Sequence, residues 1–222
     1  MRPSKNPWPL SELEARSAVL VPSVCETLSA VCREPTLHAR FLNTLSLMEH
    51  IGSRKIMASQ PESRLQHDSL KHLAEETRHA YFFKRAAERL ALRTLAYDAG
   101  DTVAGASARA YMGRLDVGIA NELGPGAQAL PYLYMSLIIE VRAIWFYRLY
   151  QTVLDQYGLG ISLKSVLGEE ALHLSAMIAR LTAMDATLQR RISCFLDLER
   201  DRFDALWSAI EADSGRERLA AE

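Results

Sequence analysis

The chain has 222 residues, 49% of them hydrophobic, enough to bury the core of one domain with extensions. Its 26 basic and 27 acidic side chains nearly cancel, at a formal net charge of -1, so no basic surplus points to nucleic acid and no DNA partner is expected. The N-terminus lacks the long apolar run of a signal peptide, and the longest apolar stretch, Ala129 to Ile139, is cut off by Glu140, short of the about 20 apolar residues that a membrane span needs.

Apolar residues recur at a spacing of three to four along almost the whole chain, which predicts an all-α protein. Ser11 and Glu14 have the spacing of a capping box and predict a first helix toward Arg33, kinked or broken at Pro22. Pro35 punctuates. Helices are predicted from about 36 to 59 and, beyond Pro61, from about 62 to 96. The stretch AGDTVAGASARAYMGRLDVGIANELGPG holds six of the eleven glycines and reads as a long connection with a short helical piece near 109–122. Helices then follow over about 127–157, stopped by Gly158 and Gly160, and over 162–184. An amphipathic segment over 186–212 comes last. Two helical hairpins joined by a long connection predict a single domain, 1–222. Its core is a four-helix bundle with a crossover (about 36–184), and flanking helices (about 11–33 and 186–212) pack outside. Cys25, Cys32 and Cys194 form no CxxC pair; the first two, seven apart, read as core cysteines, and a cytoplasmic location fits.

Each hairpin carries the same chemistry in an apolar frame. Glu49 shares a stripe with Leu42, Leu45 and Ile56. The next helix lines up Leu73, Glu76, His79, Ala80 and Phe83. In the second hairpin Glu140 shares a stripe with Leu133, Leu137, Ile144 and Tyr147, and the helix after it aligns Val166, Glu170, His173, Leu174 and Met177. The order is Glu, then Glu-x-x-His, twice over, with 27 residues between Glu49 and Glu76 and 30 between Glu140 and Glu170. Residues three apart on a helix lie about 60° apart around the axis and about 4.5 Å along it, so a carboxylate and an imidazole so placed reach one metal ion. Four glutamates carry a charge that two divalent ions cancel, whereas an empty cluster would suffer repulsion and desolvation. The competing reading makes Glu49 and Glu140 ordinary ion-pair partners of Arg78 and Arg142. Glu75 and Glu169 read as solvent-facing or supporting carboxylates, His38 as a helix-start or packing residue, and His50, His67 and His72 as surface histidines.

On these residues the chain resembles the ferritin-like diiron-carboxylate superfamily, over roughly 36–184. The resemblance implies Glu49, Glu76, His79, Glu140, Glu170 and His173 as ligands of two iron ions, with manganese or a mixed pair as alternatives, and Glu76 and Glu170 as the bridging carboxylates. The doubled Glu-Glu before each histidine leaves open a second helical diiron architecture, similar to haem-oxygenase-like oxidases. The absence of CxxC pairs speaks against rubrerythrin-type peroxidases. Phe83 stands where the radical-bearing subunit of ribonucleotide reductase has a tyrosine. The resemblance thus implies an oxidase or oxygenase that uses dioxygen on a small organic substrate, with an electron donor as partner and a homodimer compatible with it. Ferroxidase or dimanganese catalase chemistry, hydroxylation of a tRNA base, and a metal-free structural bundle are the alternatives.

Overall fold

A computed structural model describes residues 7–59, 67–126 and 129–221, with side chains up to 215. All regular structure among them is helical: α1 (Trp8–Ser17), a 3-10 turn (Ala18–Leu20), α2 (Val21–Arg33), α3 (Pro35–Ser59), α4 (His67–Ala91), α5 (Gly105–Leu123), α6 (Leu130–Tyr157), α7 (Lys164–Met184) and α8 (Leu188–Ala221). The all-α expectation therefore holds.

Several boundaries differ from expectation for physical reasons. α1 begins at Trp8, with Pro7 at the N-cap, Pro9 in the first turn and no side-chain cap. Proline there sacrifices no hydrogen bond, because first-turn N–H groups have no partner within the helix. Ser11 consequently lies inside α1 and is not its cap. The break near Pro22 falls just ahead of it, at the 3-10 turn. Pro22 has no N–H to give the carbonyl of Ala18, and the N–H of Val21 serves that carbonyl instead. α4 ends at Ala91 rather than near 96, with Leu92 in the left-handed region at φ 53°. The chain then doubles back on the last turn, where Glu88 accepts the N–H of Leu95 (3.1 Å) and Lys84 donates to the Leu95 carbonyl. α5 is longer than the short piece expected, and α8 extends to Ala221. The expected starts of the second bundle helix near 62 and the third near 127 lie outside the described residues.

The chain divides into two compact units, one of residues 1–25 and 115–202, the other of 26–114 and 203–222. In the first, α6 packs on α7 and on α1. Over 132–147 α6 is exposed on no side, with Tyr134, Leu137, Glu140, Val141, Arg142 and Ile144 buried, and Tyr150 is buried beyond it. Gly158 ends it at φ 62°, its N–H bonded to the carbonyls of Leu154 and Asp155. In the second unit α3 packs on α4, and α3 is buried on most sides over 37–47.

The polar residues of α3 hold the connection 92–104. Asn43 donates to the carbonyls of Ala96 (2.7 Å) and Asp101 (2.8 Å), and accepts from Lys84 (2.9 Å). Thr44 exchanges hydrogen bonds with both backbone groups of Val103, each 2.9 Å. Arg40 donates to the carbonyl of Thr102 (2.7 Å). Buried backbone polar groups need such partners, so the stretch is anchored without regular structure of its own.

The stretch Trp8–Arg33 is long and apolar enough to cross a membrane by length and composition, at a mean hydropathy of 1.2. It buries Leu10, Leu13, Val24, Leu28 and Val31, the use a core helix makes of such residues. The three cysteines are free. Cys32 is buried, Cys25 half-buried and Cys194 exposed. Burial pushes the Cys32 thiol up to about 12.

Candidate metal centre

All six carboxylate and imidazole groups singled out in the sequence are buried: Glu49, Glu76, His79, Glu140, Glu170 and His173. Burying that many ionisable groups costs several kcal/mol each unless something compensates.

In the unit holding α3 and α4, a ligand atom from each of Glu49, Glu76 and His79 lies within 4.8 Å of the others. Nδ1 of His79 faces Oε1 of Glu76 at 3.8 Å. Glu49 projects from α3 opposite them. Gly52, one turn on, faces Glu76: a Cβ there would make ordinary contact, 3.6 Å, with Oε2 of Glu76. Ser46 lies one turn before Glu49. Its hydroxyl donates to the carbonyl of Ala80 (2.6 Å), the residue after His79, and meets the Tyr97 hydroxyl at 2.7 Å. Through Ser46, α3 is tied to the α4 backbone beside the imidazole.

In the unit holding α6 and α7, Nδ1 of His173 lies 3.1 Å from Oε2 of Glu170 and 3.5 Å from Oε1 of Glu140. Each unit thus brings one Glu from one helix against a Glu-x-x-His pair from the next. In both, Nδ1 is the imidazole nitrogen that faces the carboxylate of its own motif. Buried groups of this kind can hold a metal ion. Carboxylate oxygen with imidazole nitrogen is a donor set that accepts iron or manganese.

The ion-pair reading of Glu140 has a direct answer. Arg142 gives its Nε and Nη2 to Glu199 at 2.8 and 2.6 Å and its Nη1 to Ser17 at 3.1 Å. Residues two apart on a helix point about 200° apart, so Glu140 and Arg142 serve opposite sides of α6. Arg78 is exposed while Glu49 is buried. Glu75 and Glu169 are half-buried, near Lys71 (3.6 Å) and Ser165 (3.4 Å) respectively.

Of the remaining histidines, His67 is exposed and His50 is half-buried, stacked on Tyr97 at 5.8 Å. His38 is buried as a packing residue, its Nε2 4.0 Å from the Cys32 sulfur, and burial lowers its pKa to about 4. His72 corrects the sequence reading. It is buried rather than on the surface, and its Nε2 lies 3.4 Å from Oε1 of Glu76. The stripe read from the sequence begins at Leu73, which is only half-buried. At 100° per residue His72 lies about 40° from Glu76, on the same side as His79, whereas Leu73 lies about 60° away on the other. The signal was in the spacing.

No protein-family model, curated protein or solved structure matches the chain, so its functional reading rests on its own residues.

Proposed function

We propose that the chain is a ferritin-like diiron-carboxylate protein, an oxidoreductase that uses dioxygen to oxidise or hydroxylate a small organic substrate. One observation carries the reading: each of two units buries a Glu and a Glu-x-x-His pair so that imidazole Nδ1 meets carboxylate oxygen. Glu49, Glu76 and His79 make one half of the ligand set, and Glu140, Glu170 and His173 the other. Four carboxylates balance two divalent ions, which accounts for so much acid in an apolar interior. Two bound iron ions would supply the electrons for dioxygen reduction. The protein's part is to fix the donors and keep bulk water away, and three buried residues provide apolar surface for it: Phe83 and Ile144, one turn from His79 and Glu140, and Tyr147, two turns from Glu140. An external electron donor, a homodimer and a cytoplasmic setting belong to the same reading.

The test is anaerobic loading with iron(II), followed by oxygen uptake with a reductant. Uptake that needs both Glu140 and Glu170, and that rises with an oxidisable organic substrate, supports the reading. Ferric iron accumulating in a large assembly would favour iron storage. Disproportionation of peroxide by the manganese form would favour a catalase. Uptake unchanged in Glu140→Ala and Glu170→Ala overturns the assignment.

A further inference from the structure

Beyond the six groups of the repeated pattern, α4 buries a second histidine, His72, on the face that carries Glu76 and His79. The buried face of α4 is Ser69, His72, Glu76, His79, Phe83 and their small neighbours. Its ionisable members read H-x-x-x-E-x-x-H. We propose that His72 is a third imidazole ligand of the metal centre and that it biases the centre toward iron over manganese. The proposal rests on the metal-binding reading of the previous subsection.

The separation of His72 from Glu76 is one that a shared ion would set. Nε2 of His72 lies 3.4 Å from Oε1 of Glu76. An imidazole N–H bonded to a carboxylate settles at about 2.7–3.2 Å. Two donors each about 2.1 Å from one ion, at an angle of 90–110°, stand about 3.0–3.4 Å apart. His173 keeps a similar separation, 3.5 Å, from Glu140, whereas its 3.1 Å to Glu170 is also a hydrogen-bond distance. The reach is also reasonable. His72 is four residues before Glu76, about 6 Å along the axis, and it extends its far nitrogen. His79, only three residues away, uses the near one.

Chemistry gives the consequence. A neutral imidazole adds a ligand without adding charge, so the balance between four carboxylates and two divalent ions is kept. It makes the two halves unequal, with two imidazoles on α4 and one on α7. Among divalent ions imidazole suits iron, whereas carboxylate-rich sites suit manganese. A third nitrogen therefore moves the preference toward iron.

The experiment compares the full-length wild type with His72→Ala and His72→Gln. Metal-free protein is equilibrated anaerobically with equal iron(II) and manganese(II), and the bound metals are counted. Gln can still donate a hydrogen bond to Glu76 but is a poor ligand. If His72 is a ligand, its loss should lower the bound iron-to-manganese ratio by at least about tenfold in both variants, since even outer partners of metal ligands carry about 10–100-fold in affinity. Mössbauer spectra of the iron(II) protein should also change in both. If His72→Gln matches wild type, His72 only positions Glu76, and the ligand proposal falls while the metal reading stands. If wild type takes up neither metal, both fall. Melting of the metal-free proteins reports folding, and should His72→Ala fail to fold, His72→Gln carries the test.

Discussion

Replacing Glu199 by Ala should be among the most destabilising single changes outside the candidate ligands. Glu199 is fully buried and Arg142 is 4% exposed. Their bidentate contact, at 2.8 and 2.6 Å, is joined by Ser17 and by Trp145, whose ring centre lies 4.8 Å from the guanidinium carbon. Neither Ser17 nor Trp145 brings a negative charge. Glu199→Ala therefore removes the bidentate counter-charge of a guanidinium where water does not reach, at a cost of about 3–5 kcal/mol. For a chain of this length that lowers the melting temperature by about 6–20 °C. The double variant Arg142→Met/Glu199→Met should recover most of the loss, because an apolar pair of similar volume has no desolvation penalty. Urea unfolding of the metal-free proteins gives the three free energies. A Glu199→Ala cost below about 1 kcal/mol, the range of exposed ion pairs, would refute the reasoning.

Other perturbations address the rest of the chain. Burial lowers the pKa of His38 to about 4 from 6.5, so the unfolded chain binds the extra proton first. Stability should fall as the pH drops from 6.5 to 4, by about 3 kcal/mol from this residue. His38→Gln should flatten the pH profile of urea midpoints in that window by that amount. Asp101, held down to about 2 by Arg93 and the Ala96 N–H, loses its contribution only at lower pH, between 3.8 and 2. Asn43→Ala strands the carbonyls of Ala96 and Asp101, and should cost about 1–3 kcal/mol and speed proteolysis within 92–104. Gly158→Ala forces a side chain into the left-handed cap of α6 and should cost about 1–2 kcal/mol in thermal unfolding.

The helical class was legible because apolar spacing of three to four runs through nearly the whole chain. The positions Glu49, Glu76, His79, Glu140, Glu170 and His173 stood out because a carboxylate on an apolar stripe breaks the pattern, and all six are buried. His72 escaped notice because a histidine beside Lys71 and next to Leu73 looks like a surface residue. Its burial depends on where the centre of the α4 face falls, which a shift of one residue moves by about 100°. The Arg142–Glu199 pair spans 57 positions in sequence, a separation at which single-sequence spacing says nothing. The anchoring of 92–104 by Asn43, Thr44 and Arg40 was hidden in the same way, since these side chains look like ordinary polar helix residues until their carbonyl partners are in place. The early end of α4 likewise depends on Glu88 and Lys84 holding Leu95.

The most direct test of the central claim is the metal content of the purified protein after expression with both iron and manganese supplied. The paired Glu and Glu-x-x-His halves predict about two ions per chain, mostly iron, with a clear loss in Glu140→Ala. They also predict a higher melting temperature than in the metal-free form, since about 1,000-fold saturation stabilises by about 4 kcal/mol. A protein that holds no metal, even after anaerobic loading with iron(II), would contradict the account.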